Sequence, residues 1–137
     1  MASDTGAPLG LFFDHDNKVL LVAFSGVFDR NTTLDLNKAA KAVVERYGHV
    51  AAILDFTDVT ELALQLRDWP ELGNSRRAIR GKLRMLVAPV SPIFAPLRLH
   101  GAYKGGVGDD TEVVTTRAQA IRQLGLTDPT FVPLDLS

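Results

Sequence analysis

Residues 55–61 read DFTDVTE and place three carboxylates (Asp55, Asp58, Glu61) and two hydroxyls (Thr57, Thr60) directly after the apolar run AAIL. Three roles fit such a set. Neighbouring carboxylates can divide acid and base work between them when their environments differ. A ridge of exposed oxygens can dock a partner. Asp and Thr also gather where a buried strand gives way to a turn, because their short side chains bond nearby backbone. In open α/β sheets, ligands and partners meet the carboxyl ends of the strands, and this stretch follows such a strand. Docking therefore ranks above reaction, since no identifiable nucleophile and base accompany the carboxylates. Trp69, the only tryptophan, stands at a predicted helix start just beyond. It joins Asp55, Thr57, Asp58, Thr60 and Glu61 as the candidate partner-binding set.

The other clusters read more plainly as structure. Asp14, His15 and Asp16 offer metal-ligand types, but they occupy a hairpin turn, and His49 and His100 fall in other elements. A metal site needs three or four convergent ligands, so none is expected. Ser25, Ser75 and Ser91 lack the context of a nucleophile elbow. The glycines of 105–110 (GGVGDD) precede a strand rather than a helix, and the two Asp stand where a phosphate needs positive charge. Arg76, Arg77 and Arg80, with Lys82 and Arg84, form the one basic patch. It falls in the C-terminal half of a predicted helix, where the macrodipole favours cations. No aromatic residues interleave with it as stacked bases would require.

The bulk properties narrow the class. With 137 residues, 46% hydrophobic and 23% charged, the chain carries enough apolar material for one packed domain. Fifteen basic against sixteen acidic residues leave a net charge of −1, so no global field recruits nucleic acid. Cysteine is absent, which excludes disulfides, thiol nucleophiles and thiolate metal sites. The start MASDTGAPLG lacks the pattern of a signal peptide, and no apolar run reaches the ~20 residues that span a bilayer. The expected setting is the cytoplasm, with no cofactor.

The elements that must position the candidate set follow from periodicity. Residues 1–8 read as a loose arm, and 9–137 as one domain. LGLFF and KVLLVAFSG flank the turn DHDN and predict a β-hairpin. A helix follows, capped by Asn31, with Leu36, Ala40, Val43, Val44 and Tyr47 on one face and Gly48 at its end. Residues 49–56 predict a buried strand that stops at Phe56, leaving 57–61 as a loop. Asp68 to Gly81 predicts a second helix opened by DWPE. LRMLVA is the next strand, Ser91-Pro92 opens a third helix, and 112–115 is a strand. Thr116 and Gln119 form a capping-box pattern at a last helix ended by Gly125. The tail from Thr127 is expected to lie extended along the domain. Short strands alternating with helices predict a mixed, mostly parallel sheet with an antiparallel hairpin and about four helices.

The stretch ILDFTDVTEL, preceded by a helix ending in RYG and by an earlier hairpin, resembles the STAS domain of the bacterial anti-sigma-factor antagonists. Asp55, Phe56, Thr57, Asp58 and Val59 match the strand-end pattern, and Leu62 suits its apolar position. The final strand and helix, TEVVTTRAQAIRQLGL, also fit the order of that fold. The family's phosphorylated hydroxyl and glycine would fall near Ala63, Leu64 and Gln65, which cannot accept a phosphate. The resemblance implies a non-enzymatic α/β interaction module that binds a protein partner without the usual phospho-switch. The alternative is a domain binding a small apolar ligand or lipid between helices and sheet, lined by Trp69, Phe94 and Tyr103. A homodimer is the expected assembly, since small domains often pair through exposed edge strands.

Overall fold

The computed structural model describes residues 9–48, 50–64, 84–95 and 111–135. Strand β1 (Leu9–Asp14) turns back into β2 (Val19–Asp29), and helix α1 (Arg30–Tyr47) leads to the long strand β3 (Ala51–Ala63). Strand β4 (Arg84–Val87), a 3-10 turn (Pro92–Phe94), β5 (Thr111–Val114), helix α2 (Arg117–Gln123) and β6 (Val132–Pro133) follow. The six strands form one sheet in the order β5-β4-β3-β2-β1-β6. The β2–β3, β3–β4 and β4–β5 pairs are parallel, whereas β1 runs antiparallel to both β2 and β6. The expected mixed sheet with an N-terminal hairpin is therefore the fold, and β3 is its central buried strand.

Both faces of the sheet are covered, which explains the uninterrupted apolar runs of β2 and β3. On one face Leu20, Val22, Ala52 and Leu54 pack with Leu36, Ala40 and Val43 of α1. On the other, Leu21, Ile53, Met85 and Val87 pack with Ala120 and Ile121 of α2 and with Leu124 at its end. Alternate residues of each strand thus enter different cores.

Several local expectations are corrected. Helix α1 is capped by Asp29 and not by Asn31. Asp29 ends β2 in extended geometry and accepts from the Thr32 amide at 3.0 Å, while the Thr32 hydroxyl accepts from the Asp29 amide at 3.3 Å. This reciprocal pair satisfies donors that a helix start leaves open. Gly48 does close the helix, at φ 81°. At α2, Thr116 caps the Gln119 amide as expected, but the Gln119 side chain reaches back to the amide and hydroxyl of Thr115. Gly125, at φ 70°, ends this helix, with Gly125 N–H bonded to Arg122 O and Leu126 N–H to Ile121 O. That double bond pattern uses the last carbonyls and folds Leu126 onto the core. Ser91 caps a 3-10 turn over Pro92–Phe94, and the rest of the helix expected there falls on residues 96–104, outside the described residues. The tail does run along the sheet and adds β6 beside β1, held further by Leu134 N–H to Leu11 O at 2.9 Å. The helix expected from Asp68 lies outside the described residues, as do Trp69, Arg76, Arg77, Arg80, His100, Tyr103 and the 105–110 loop.

Candidate functional site

The strand expected to stop at Phe56 continues to Ala63, and the predicted docking loop is its second half. The local cause is the Asp55 carboxylate. Its Oδ1 accepts the Thr57 amide at 2.9 Å and the Thr57 hydroxyl as well. In a tight turn the same carboxylate-to-i+2 bond reverses the chain. Here it accompanies a bulge, because Phe56 and Thr57 together stand opposite Phe24 of β2, and pairing resumes at Ser25 with Asp58. A second irregularity passes over Thr60, so that Glu61 pairs with Val27. Bulges of this kind turn a strand and re-aim its side chains. Gly26 sits between the two at φ 71°, a conformation that side-chain-bearing residues resist.

Past Asp55 the β2–β3 ribbon has a filled side and a bare one. The pairs Gly26/Val59 and Phe28/Leu62 contribute to the core beside α1, together with Phe24 and Phe56. The rings of Phe24, Phe28 and Phe56 stand 4.8 to 5.0 Å apart in tilted and edge arrangements, a geometry favourable for aromatic packing. The alternate pairs Ser25/Asp58 and Val27/Glu61 are exposed, as are Thr57 and Thr60. Of the candidate set, therefore, the structure brings Thr57, Asp58, Thr60 and Glu61 onto one solvent-facing ridge and buries Asp55 at its base.

Asp55 is 3% exposed, and its Oδ2 accepts from Arg117 Nε at 2.7 Å. Burial of an unpaired carboxylate is strongly unfavourable, and the guanidinium together with two Thr57 donors compensates it. Asp58 and Glu61 form no ion pair or hydrogen bond of this kind. Arg117 is the residue that sequence reasoning missed. It lies 62 positions from Asp55, so no local pattern links them. One signal was present: a cation in the first turn of a helix opposes the macrodipole, and such a local violation points to a charge partner elsewhere.

Asp14, considered above as a metal ligand, is a structural acceptor. Its carboxylate takes the amides of Asp16 and Asn17, the Asn17 side chain at 2.7 Å, and the Thr130 amide of the tail. Burial pushes its pKa up, but these hydrogen bonds outweigh burial and hold the carboxyl below its usual value. Among the described residues, no three potential ligands converge to hold a metal ion. Phe94, proposed to line an apolar pocket, is 3% exposed and packed in the core on the α1 face. No helix among the described residues is long and apolar enough to cross a membrane.

Neither a family model nor a curated protein sequence matches this chain. Solved structures do. The unphosphorylated form of the anti-sigma factor antagonist SpoIIAA matches with a TM-score of 0.61 at 12% identity, over 85% of this chain and 97% of that one. The phosphorylated Bacillus SpoIIAA matches with a TM-score of 0.54 at 16% identity, over 85% and 98%. A DUF3478-family protein from Shewanella loihica, described as having a SpoIIAA-like fold, matches with a TM-score of 0.60 at 14% identity, over 90% and 98%. The chain thus has the SpoIIAA-like, or STAS-like, α/β fold. Identity this low fits a divergent sequence on that fold.

Proposed function

We propose that this protein is a non-enzymatic, STAS-like interaction module of the cytoplasm that binds a protein partner through the ridge at the end of β3. The observation that carries the reading is a contrast between carboxylates. Asp55 is neutralised internally by Arg117, whereas Asp58 and Glu61 stand exposed and unpaired on a ribbon whose other side is solid core. Charges held out on a rigid scaffold favour specific encounter with a complementary surface. One of the similar folds is an anti-sigma factor antagonist by name and another a cell fate determinant, which accords with a regulatory role. The phospho-switch is not part of this reading. At the positions where the resemblance places the phosphorylated hydroxyl, this chain has Ala63, Leu64 and Gln65.

An affinity capture with wild type and Asp58→Arg tests the proposal. Asp58 is exposed, so the exchange leaves the core intact. The expected outcome is a protein retained by wild type, lost by the variant and rebound when purified. Identical captures by the two, or none by either, would sink it.

A further inference from the structure

Helix α2 covers only part of its face of the sheet. It is seven residues long and packs through Ala120 and Ile121 over Ile53, Met85 and Val87. At its start Arg117 bonds Asp55, which lies on this face. Beyond Asp55 the same face continues along the β2–β3 ribbon through the pairs Ser25/Asp58 and Val27/Glu61. All four residues are exposed, Val27 by 43%, and Ala23 behind them is half-buried. Asp58 and Glu61 form no ion pair or hydrogen bond. The opposite face of the ribbon is filled by Phe24, Phe28, Phe56 and Leu62. Parallel crossovers share one hand, so strands that step the same way across a sheet are joined on one face. For β2 to β3 that is the face that α1 covers. The α2 face of the ribbon is thus a flank of sheet to which the helical layer does not extend among the described residues.

We propose that this bare face of the ribbon receives a basic amphipathic helix of the partner protein, with Lys or Arg at positions i and i+4 and an aliphatic residue at i+3. The proposal rests on the docking reading above and specifies the element and the chemistry that the partner brings. A helix laid on a sheet face is how an α/β fold completes its layers. The irregularity that passes over Thr60 sets the spacing. Asp58 and Glu61 stand opposite Ser25 and Val27, two positions apart on β2, and so about 7 Å apart along the ribbon. From i to i+4 a helix rises about 6 Å, so two basic side chains on one flank meet both carboxylates. On the adjoining flank the i+3 side chain falls beside Val27 and takes its apolar surface out of water. Charge selects among the occupants. Nucleic acid and anionic bilayers are repelled by Asp58 and Glu61. A second copy seated on the face by two-fold symmetry would set these carboxylates against their own counterparts.

The test uses the full chain and alanine-rich peptides of about 18 residues, long enough to be helical in water. The first carries lysine at i and i+4 with leucine at i+3. The second has the same composition with its lysines spread around the helix, and the third exchanges lysine for glutamate. The fourth is the first with a central proline, which breaks the helix. Fluorescence anisotropy is expected to show saturable binding of the first, binding about tenfold weaker or less for the second and fourth, and none for the third. Asp58→Lys with Glu61→Lys is expected to weaken binding of the first peptide by about tenfold, and Val27→Ser by about threefold, with circular dichroism unchanged. Equal binding of the second peptide would leave only charge attraction and overturn the proposal. Equal binding of the fourth would overturn the helix, and unchanged binding by Val27→Ser would overturn the aliphatic contact. Absence of binding by the first, or equal binding by the doubly substituted protein, would overturn the whole. So would a dimer, read by light scattering, that the double substitution dissociates, since a second copy would then hold the face. If Asp58→Arg still releases a captured protein while the first peptide fails to bind, the helix proposal falls and the docking reading stands.

Discussion

The Asp55 carboxylate accepts from Thr57 twice and from Arg117 once, so removing different members of this unit has different costs. Asp55→Ala strips the acceptor from the bulge amide and leaves Arg117 unpaired. A destabilisation of about 1–2 kcal/mol is expected, since the bonds to the carboxylate are lost while its donors, exposed Thr57 and half-exposed Arg117, can turn to water. Arg117→Ala should cost more, about 3 kcal/mol, because it leaves the buried carboxylate without its counter-charge. Urea unfolding checks the order, and a larger loss for Asp55→Ala would refute this account of the buried charge. Asp14 gives a pH prediction. Its folded pKa is lowered below the unfolded value near 3.8, so its stabilisation is complete above that pH and is lost as pH falls through the folded value. Asp14→Asn should therefore be less stable than wild type at pH 7, and the gap should close as pH falls through the lowered folded-state value. A gap that stayed constant would mean that the carboxylate charge is irrelevant.

At the scale of elements, Gly26 separates the two bulges that give the ribbon its bare side. A Cβ at this position would meet nothing within 4 Å, so Gly26→Ala is limited by its positive φ and not by collision. The expected cost is about 1–2 kcal/mol, the penalty of left-handed backbone for a residue with a side chain. A variant as stable as wild type by thermal unfolding would show that the turn of β2 needs no glycine. The same bulges mark where the sequence stopped being legible. Helix α1 was readable because Leu36, Ala40 and Val43 repeat at helical spacing and all three are buried. The continuous apolar runs of β2 and β3 were readable as strands covered on both faces. The end of β3 was not, because Asp55-x-Thr57 makes one hydrogen bond whether the chain turns or bulges, and only the presence of β2 alongside decides between them. Asn31 reads as the cap because the expected strand ends at Gly26, whereas β2 runs on to Asp29, which is the last strand residue and the cap at once. The ridge residues were found from their types, while their anchor Arg117 required the fold that brings α2 over β3.

For the whole molecule, the tail is a strap that closes the far edge of the sheet. Thr130 bonds Asp14 in the hairpin, Val132 and Pro133 pair with Phe13 and Phe12, and Leu134 bonds Leu11. Arg46 of α1 donates to the Asp135 carbonyl at 3.1 Å, which ties the strap to that helix. Phe131 and Leu134 pack on the two different cores, so the strap crosses the edge and joins both layers. Removing the chain after Asp128 would uncover β1, which holds Leu9, Leu11, Phe12 and Phe13 in an extended row. Pro133 caps the present edge with a residue that cannot extend a ladder, whereas β1 has no such guard. The truncated protein should therefore unfold at lower denaturant and self-associate with rising concentration, as read by light scattering coupled to gel filtration. Adding Leu11→Lys to the truncated chain should restore a lower mass, because a charge on the bared edge opposes strand pairing. A truncated chain whose mass and stability equal those of the full chain would show that the β6 strap contributes neither closure nor edge protection.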